Sequence, residues 1–128
     1  MDGLSFEERL AMVRDGTHFN CYGTAFLLRG VFDDLGCSPT SVRGFGRIKR
    51  ECDRLPRVPE KSCFILATFQ GILAPHVGLV VNDSGRVYDR TFYRGSFMDD
   101  LDVDSFARQF SGDGFEVQYW MHPSEIDF

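Results

Sequence analysis

The sequence predicts an α+β domain in which helices pack on an antiparallel sheet, and three observations carry that prediction. Apolar residues recur at helical spacing through the first third of the chain, three strand-like runs fill the middle, and an alternating run follows near the end. The links between the middle runs are short, polar or glycine-containing, which suits an antiparallel meander, because parallel neighbours need a crossover of a dozen residues or more. The order helix, helix, basic segment, three strands, short helix, strand then places the helices on one face of the sheet.

Each element has a local reason. Ser5 with Glu8 three residues later is a capping box, and Phe6, Leu10 and Val13 fall on one helical face, so a first helix is expected over 5–14, stopping at Gly16. Asn20 is a favoured N-cap and puts Cys21 in the first turn of a second helix. Leu28, Val31, Phe32 and Leu35 continue its buried side, and Gly36 with Pro39 beyond ends it, giving 20–35. Gly23, near its start, is either a packing notch or a place where another chain or a substrate comes close.

Residues 40–57 hold Arg43, Arg47, Lys49, Arg50, Arg54 and Arg57 around Phe45 and Ile48, a loose helix ended by Pro56. Without interleaved stacking aromatics this reads first as a solvated face and second as a surface for an anionic substrate. Strands are expected over 62–69, 76–82 and 86–92. The acidic run 99–104 reads as surface, leading into a helix over 105–110. Alternation from Phe115 to Trp120 reads as a half-buried strand, and the tail after Pro123 as peripheral.

Composition bounds the function. At 128 residues, 43% hydrophobic and 14% aromatic with thirteen Phe, residues 1–128 form one domain with material for a real core, and no repeat, linker or low-complexity segment divides it. A net charge of −5 and a pI near 5.1 argue against nucleic acid or an anionic membrane as the main partner. There is no run of about 18 apolar residues, so no membrane span is expected. The first eight residues lack the basic and apolar regions of a signal peptide, so the expected location is the cytoplasm, with any export by a signal-peptide-independent route. The spacing of Cys21, Cys37, Cys52 and Cys63 fits no compact zinc pattern and the three histidines are scattered, so neither a metal nor a cofactor is expected. Free thiols suit a reducing compartment, and a Cys37–Cys52 bridge is open to an exported form.

Three residues form a constellation. A cysteine opening a helix meets unpaired backbone N–H groups and the positive end of the helix dipole, both of which favour a thiolate. Cys21 is therefore the candidate nucleophile. His76, at the mouth of a strand between Pro75 and Val77, is the candidate base, and as imidazolium would pair with that thiolate. Asp89, on the next strand, is the candidate orienting group. With the hairpin turn centred on Asn82-Asp83 it lies opposite His76; centred on Ser84-Gly85 it lies opposite Val80, roughly 13 Å along at about 3.3 Å per residue. Cys37, Cys52 and Cys63 read as small buried hydrophobes. His18 is the rival base, and His122 is the weakest. The backbone N–H of Cys21 is the natural oxyanion donor, with Asn20, His18 or Tyr22 as the second. Tyr22, His18, Arg47 and Arg50 are the candidate substrate contacts.

Asn20-Cys21-Tyr22-Gly23, the strand His76-Val77-Gly78-Leu79-Val80-Val81 and Asp89 together resemble the papain-like cysteine hydrolases, most closely the NlpC/P60 group, over residues 18–92. That group has Asp-Cys-Ser-Gly where this chain has Asn20-Cys21-Tyr22-Gly23, and its third residue is more often His. Tyr88-Asp89-Arg90-Thr91 also looks like the transglutaminase-like and effector deamidase or protease branches. The resemblance implies attack of Cys21 on an amide, a thioester, and resolution by water with His76 as acid then base. It implies a peptide or peptidoglycan-fragment substrate, cut by an effector amidase or lysis enzyme, and with the effector role an immunity protein or adaptor as partner. A host-directed protease, a glutamine deamidase and a non-enzymatic binding module are the other readings.

Overall fold

The computed structural model describes residues 3–15, 18–57, 62–81, 85–90 and 96–124. Helix α1 (Phe6–Asp15) starts from the expected capping box: Ser5 Oγ accepts the Glu8 N–H and Glu8 Oε1 accepts the Ser5 N–H, both at 3.1 Å. Those bonds hold the exposed Glu8 carboxyl below its ordinary pKa. The expected stop at Gly16 lies outside the described residues.

Helix α2 spans Cys21–Arg29, with Asn20 Oδ1 accepting the Gly23 N–H at 2.8 Å. It ends six residues before the sequence predicts. Gly30 takes the left-handed conformation (φ 78°) and returns its N–H to Phe26 and Leu27, and Phe32 (φ 58°) turns the chain again. Residues Asp33–Leu35 form a separate 3-10 turn. The apolar spacing is used for packing instead: the Phe32 ring meets Phe26 at 5.0 Å and Phe64 at 6.5 Å.

Helix α3 (Ser41–Glu51) is capped by Thr40, and the rest of the basic segment forms strand β1 (Asp53–Leu55), a correction to the single helix expected as far as Pro56. Proline drives its predecessor into extended backbone, and here that predecessor is Leu55. Strands β2 (Cys63–Phe69), β3 (Leu73–Val81), β4 (Arg86–Arg90) and β5 (Phe97–Asp102) follow, then α4 (Val103–Arg108) and β6 (Phe115–Met121). The acidic run begins as an edge strand at the surface and ends in the first turn of α4. Its aspartates sit where solvent reaches, and Asp102 caps α4 by accepting the Ser105 N–H at 2.7 Å. Residues 82–84, where the hairpin turn is expected, the end of the expected strand at 91–92, and residues 125–128 lie outside the described residues.

All strand pairs are antiparallel, in the order β1-β6-β2-β3-β4-β5. Both faces of the central strands are buried. On one, Phe64, Leu66, Val77 and Leu79 meet Tyr22, Ala25, Phe26 and Leu28 of α2, with Val13 of α1 and Ile48 of α3 in the same core. On the other, Ile65, Ala67, Val80 and Val87 meet Phe106 of α4. The expectation of helices on one face is corrected by α4, which covers the second. Among the described residues no helix is long and apolar enough to cross a membrane, and no cluster of His, Cys, Asp and Glu is able to hold a metal ion.

A strap at residues 37–39 crosses the start of α2. Asn20 donates its backbone N–H to Cys37 O at 3.2 Å and its Nδ2 to Pro39 O at 2.7 Å, and Ser38 Oγ donates to His18 O. Gly23 is the notch that admits it, since a Cβ there would lie 1.7 Å from Cys37 O. Gly23→Ala gains roughly 1 kcal/mol of helix propensity. The overlap is with backbone and costs about 1–3 kcal/mol or more. Denaturant unfolding of this variant is expected to give a net loss of stability and a lower midpoint than the wild type.

Candidate active site

Buried polar side chains on apolar strands need partners. His76 on β3 is 7% exposed and Asp89 on β4 is 0% exposed. The β3–β4 register pairs Leu79 with Tyr88 and Val80 with Val87, which sets Asp89 across from Gly78. This lies midway between the two registers the sequence allows. His76 is then the diagonal neighbour of Asp89 on the same face, a separation that long or leaning side chains span. The absence of a side chain at 78 lets Asp89 lean: a Cβ there would lie 3.3 Å from Asp89 Cβ and 2.8 Å from Val87 Cγ1. His76 Nε2 reaches Asp89 Oδ2 at 2.7 Å. An ionised carboxylate only accepts, so Nε2 carries the proton and Nδ1 is the ring nitrogen left over. Asp89 Oδ1 has no partner among the described residues.

The imidazole is enclosed on the α4 face of the sheet. The rings of Phe106 and Phe110 stack on it, each at 5.4 Å and inclined by 18° and 25°. A bulge in the β2–β3 pairing lies next to it, between Ala67↔His76 and Phe69↔Leu73, and bulges bend a strand and re-aim its side chains. Cys21, which opens α2, is one of the groups whose influence favours the charged form of the ring. Burial pulls the imidazole pKa down, but the bonds to Asp89 and to Cys21 outweigh it and raise it to about 9. The thiols differ in setting. Cys21 and Cys37 are half-buried, whereas burial pushes Cys52 and Cys63 each up to about 12. All four cysteines are free, Cys37 and Cys52 included.

Other expected site residues have different tasks. Tyr22 is 1% exposed, donates its hydroxyl to Ala74 O at 2.6 Å and packs its ring against Gly44, so it belongs to the core and not to a substrate surface. Burial pushes its hydroxyl pKa upward. Asn20 caps α2 and holds the strap, so its side chain is committed on both ends. Arg47 pairs with Asp34 at 2.7 Å and with Glu51, and lies over the Phe32 ring, while Arg50 is on the exposed side of α3. His122 contacts Phe32 and Ser124, away from His76.

Exposed His18 stacks on Phe19 and lines an apolar groove of about 410 Å³ between α1, α2 and the 30–37 segment. The groove uses Gly23, Phe26, Leu27 and Gly30, one face of α2, and Cys21 lies about 200° around the helix from Gly23 at 3.6 residues per turn. The groove and the Cys21–His76–Asp89 cluster thus sit on opposite sides of α2.

No protein-family model, curated protein or solved structure matches this chain. The cluster therefore stands on its own geometry. Phe106, Phe110 and the fit at Gly78 escaped the sequence reading. The i, i+4 spacing of the two phenylalanines, and the glycine two residues after His76, were the available signals.

Two measurements test this arrangement. Gly78→Ala overlaps Val87 and crowds Asp89 against its bond to His76, so an NMR titration of the His76 ring is expected to give a midpoint below that of the wild type, with a stability loss of about 1–3 kcal/mol from overpacking. The second concerns pH. A histidine whose folded pKa is raised stabilises the fold fully below its unfolded pKa of about 6.5, and that contribution fades as pH climbs through the folded value. Denaturant melts of His76→Gln are expected to fall furthest below wild type at pH 6, with the gap narrowing through pH 9.

Proposed function

We propose that this protein is a cysteine-dependent amide hydrolase, with Cys21 as nucleophile, His76 as acid and base, and Asp89 orienting the ring. The observation that carries the reading is the buried His76–Asp89 pair, 2.7 Å apart, in a chain whose helix α2 opens with Cys21, a thiol that helps to hold the ring charged. With a pKa of about 9 the imidazole carries its proton at neutral pH and can serve as the acid, and an imidazolium paired with a cysteine is the setting in which a thiolate nucleophile persists.

Cys21 Sγ attacks the amide carbonyl and the C–N bond breaks as the imidazolium gives its Nδ1 proton to the departing amine. A thioester is left on Cys21. His76, now neutral, takes a proton from water, and the hydroxide breaks the C–S bond to release the acid and restore the thiolate–imidazolium pair. In the first turn of α2 the Gly23 N–H bonds to Asn20 Oδ1 and the Thr24 N–H to Asn20 O, which leaves the Cys21 and Tyr22 amides, and that of Cys21, on the nucleophile's own residue, is the oxyanion donor in this reading. The resemblance to the NlpC/P60 group makes peptidoglycan stem peptides the first substrate class to try. It also makes an effector or lysis role, with an immunity protein or adaptor as partner, the first context.

Iodoacetamide labelling mapped by mass spectrometry tests the chemistry. Cys21 is expected to label at least tenfold faster than Cys37, Cys52 and Cys63 at pH 6.5, and to lose that advantage in His76→Ala. Muropeptides incubated with the wild type are expected to release new amino groups, and Cys21→Ala to release none. Ammonia release without backbone cleavage would reassign the enzyme as a deamidase. Uniform slow labelling of all four thiols would leave a binding module.

A further inference from the structure

Asp89 and Arg90 are neighbours on β4, and strand alternation sends their side chains to opposite faces. Asp89 holds His76. Arg90, 4% exposed, runs the other way into the helical layer, where Nε donates to Thr24 Oγ1 at 3.2 Å and Nη2 donates to Val13 O. Val13 lies in the last turn of α1, whose carbonyls lack helical partners and sit at the negative end of the dipole, so a guanidinium is well matched there. Thr24 is three residues after Cys21, hence one turn along the same side of α2. Two consecutive residues of one strand therefore reach His76 on one face and, on the other, the helix that opens with Cys21.

We propose that Arg90 and Thr24 are positioning residues: their bond fixes the first turn of α2 against β4 and so holds Cys21 Sγ at the His76 ring. The inference rests on the reading of Cys21 as the nucleophile. It adds that the distance between thiol and imidazole is set by the same strand that sets the imidazole, so the two move together. Arginine suits the task because its planar fork serves two acceptors at fixed separation, which a lysine ammonium does not reproduce.

The test uses Thr24→Val, which keeps the shape, removes the acceptor and leaves the Arg90 bond to Val13 in place, with Thr24→Ser as the rescue. Two quantities are read beside thermal unfolding: the iodoacetamide rate of Cys21 at pH 6.5 and the NMR titration midpoint of His76. Thr24→Val is expected to slow Cys21 labelling about tenfold and to lower the His76 midpoint towards that of Cys21→Ala, and Thr24→Ser to restore both. A variant that melts lower yet keeps the wild-type labelling rate and midpoint would overturn the proposal, leaving the bond merely structural. The failures separate cleanly. Absence of a labelling advantage in the wild type defeats the nucleophile, whereas an unmoved His76 midpoint in Thr24→Val defeats the positioning.

Discussion

The carboxyl group of Asp89, shut away from solvent on β4, is the constraint around which the sheet is arranged. An isolated buried carboxylate is costly, by several kcal/mol even after relaxation, and His76 is the partner that makes it tolerable. The β3–β4 register follows from that need. A slip by one residue would send Asp89 to the opposite face, into the layer where Arg90 now enters. A side chain at Gly78 would run into Val87 and crowd Asp89, and Phe106 and Phe110 close the face over the ring.

Cys21 is set apart from the other cysteines by what surrounds it. Cys52 and Cys63 are buried and stay protonated, while Cys37 lies on the strap with its carbonyl bonded to Asn20. Cys21 has a helix start behind it and an imidazole before it. The strap also explains why Asn20 and Gly23 stand where they do. Both serve the docking of residues 37–39 over the first turn of α2, and that docking leaves the sheet-facing side of the turn to the thiol.

Much of this was legible where local chemistry decides. The Ser5–Glu8 box, the central apolar strands and the alternation of β6 are short-range signals, and the α+β class followed from them. Signals that depend on distant partners were not. Leu-Leu-Arg-Gly-Val-Phe keeps helical spacing straight through Gly30, and only the left-handed turn there reveals that Phe32 is needed against Phe64. Strands β1 and β5 are edges whose charges hide any alternation. The sequence offered Cys21, His76 and Asp89 as candidates, and the fold joins the last two at 2.7 Å and sets Cys21 at the start of α2. It could not tell that Tyr22, one residue from Cys21, points into the core, or that Arg47 already has two acidic partners, because both depend on segments dozens of residues away or on a neighbouring turn.

The strand order has a consequence for how this chain is made. β6, late in the sequence, inserts between β1 and β2, which are far earlier. Loops that long close slowly, and contacts of such separation dominate the folding time. While the chain leaves the ribosome, the hairpin of β2 and β3 therefore waits with an unpaired, apolar edge along Phe64 to Phe69. Until Phe115 to Met121 have emerged, that edge is free to pair with another nascent copy, so a chaperone able to cover an extended strand would serve this protein during synthesis more than at any later time.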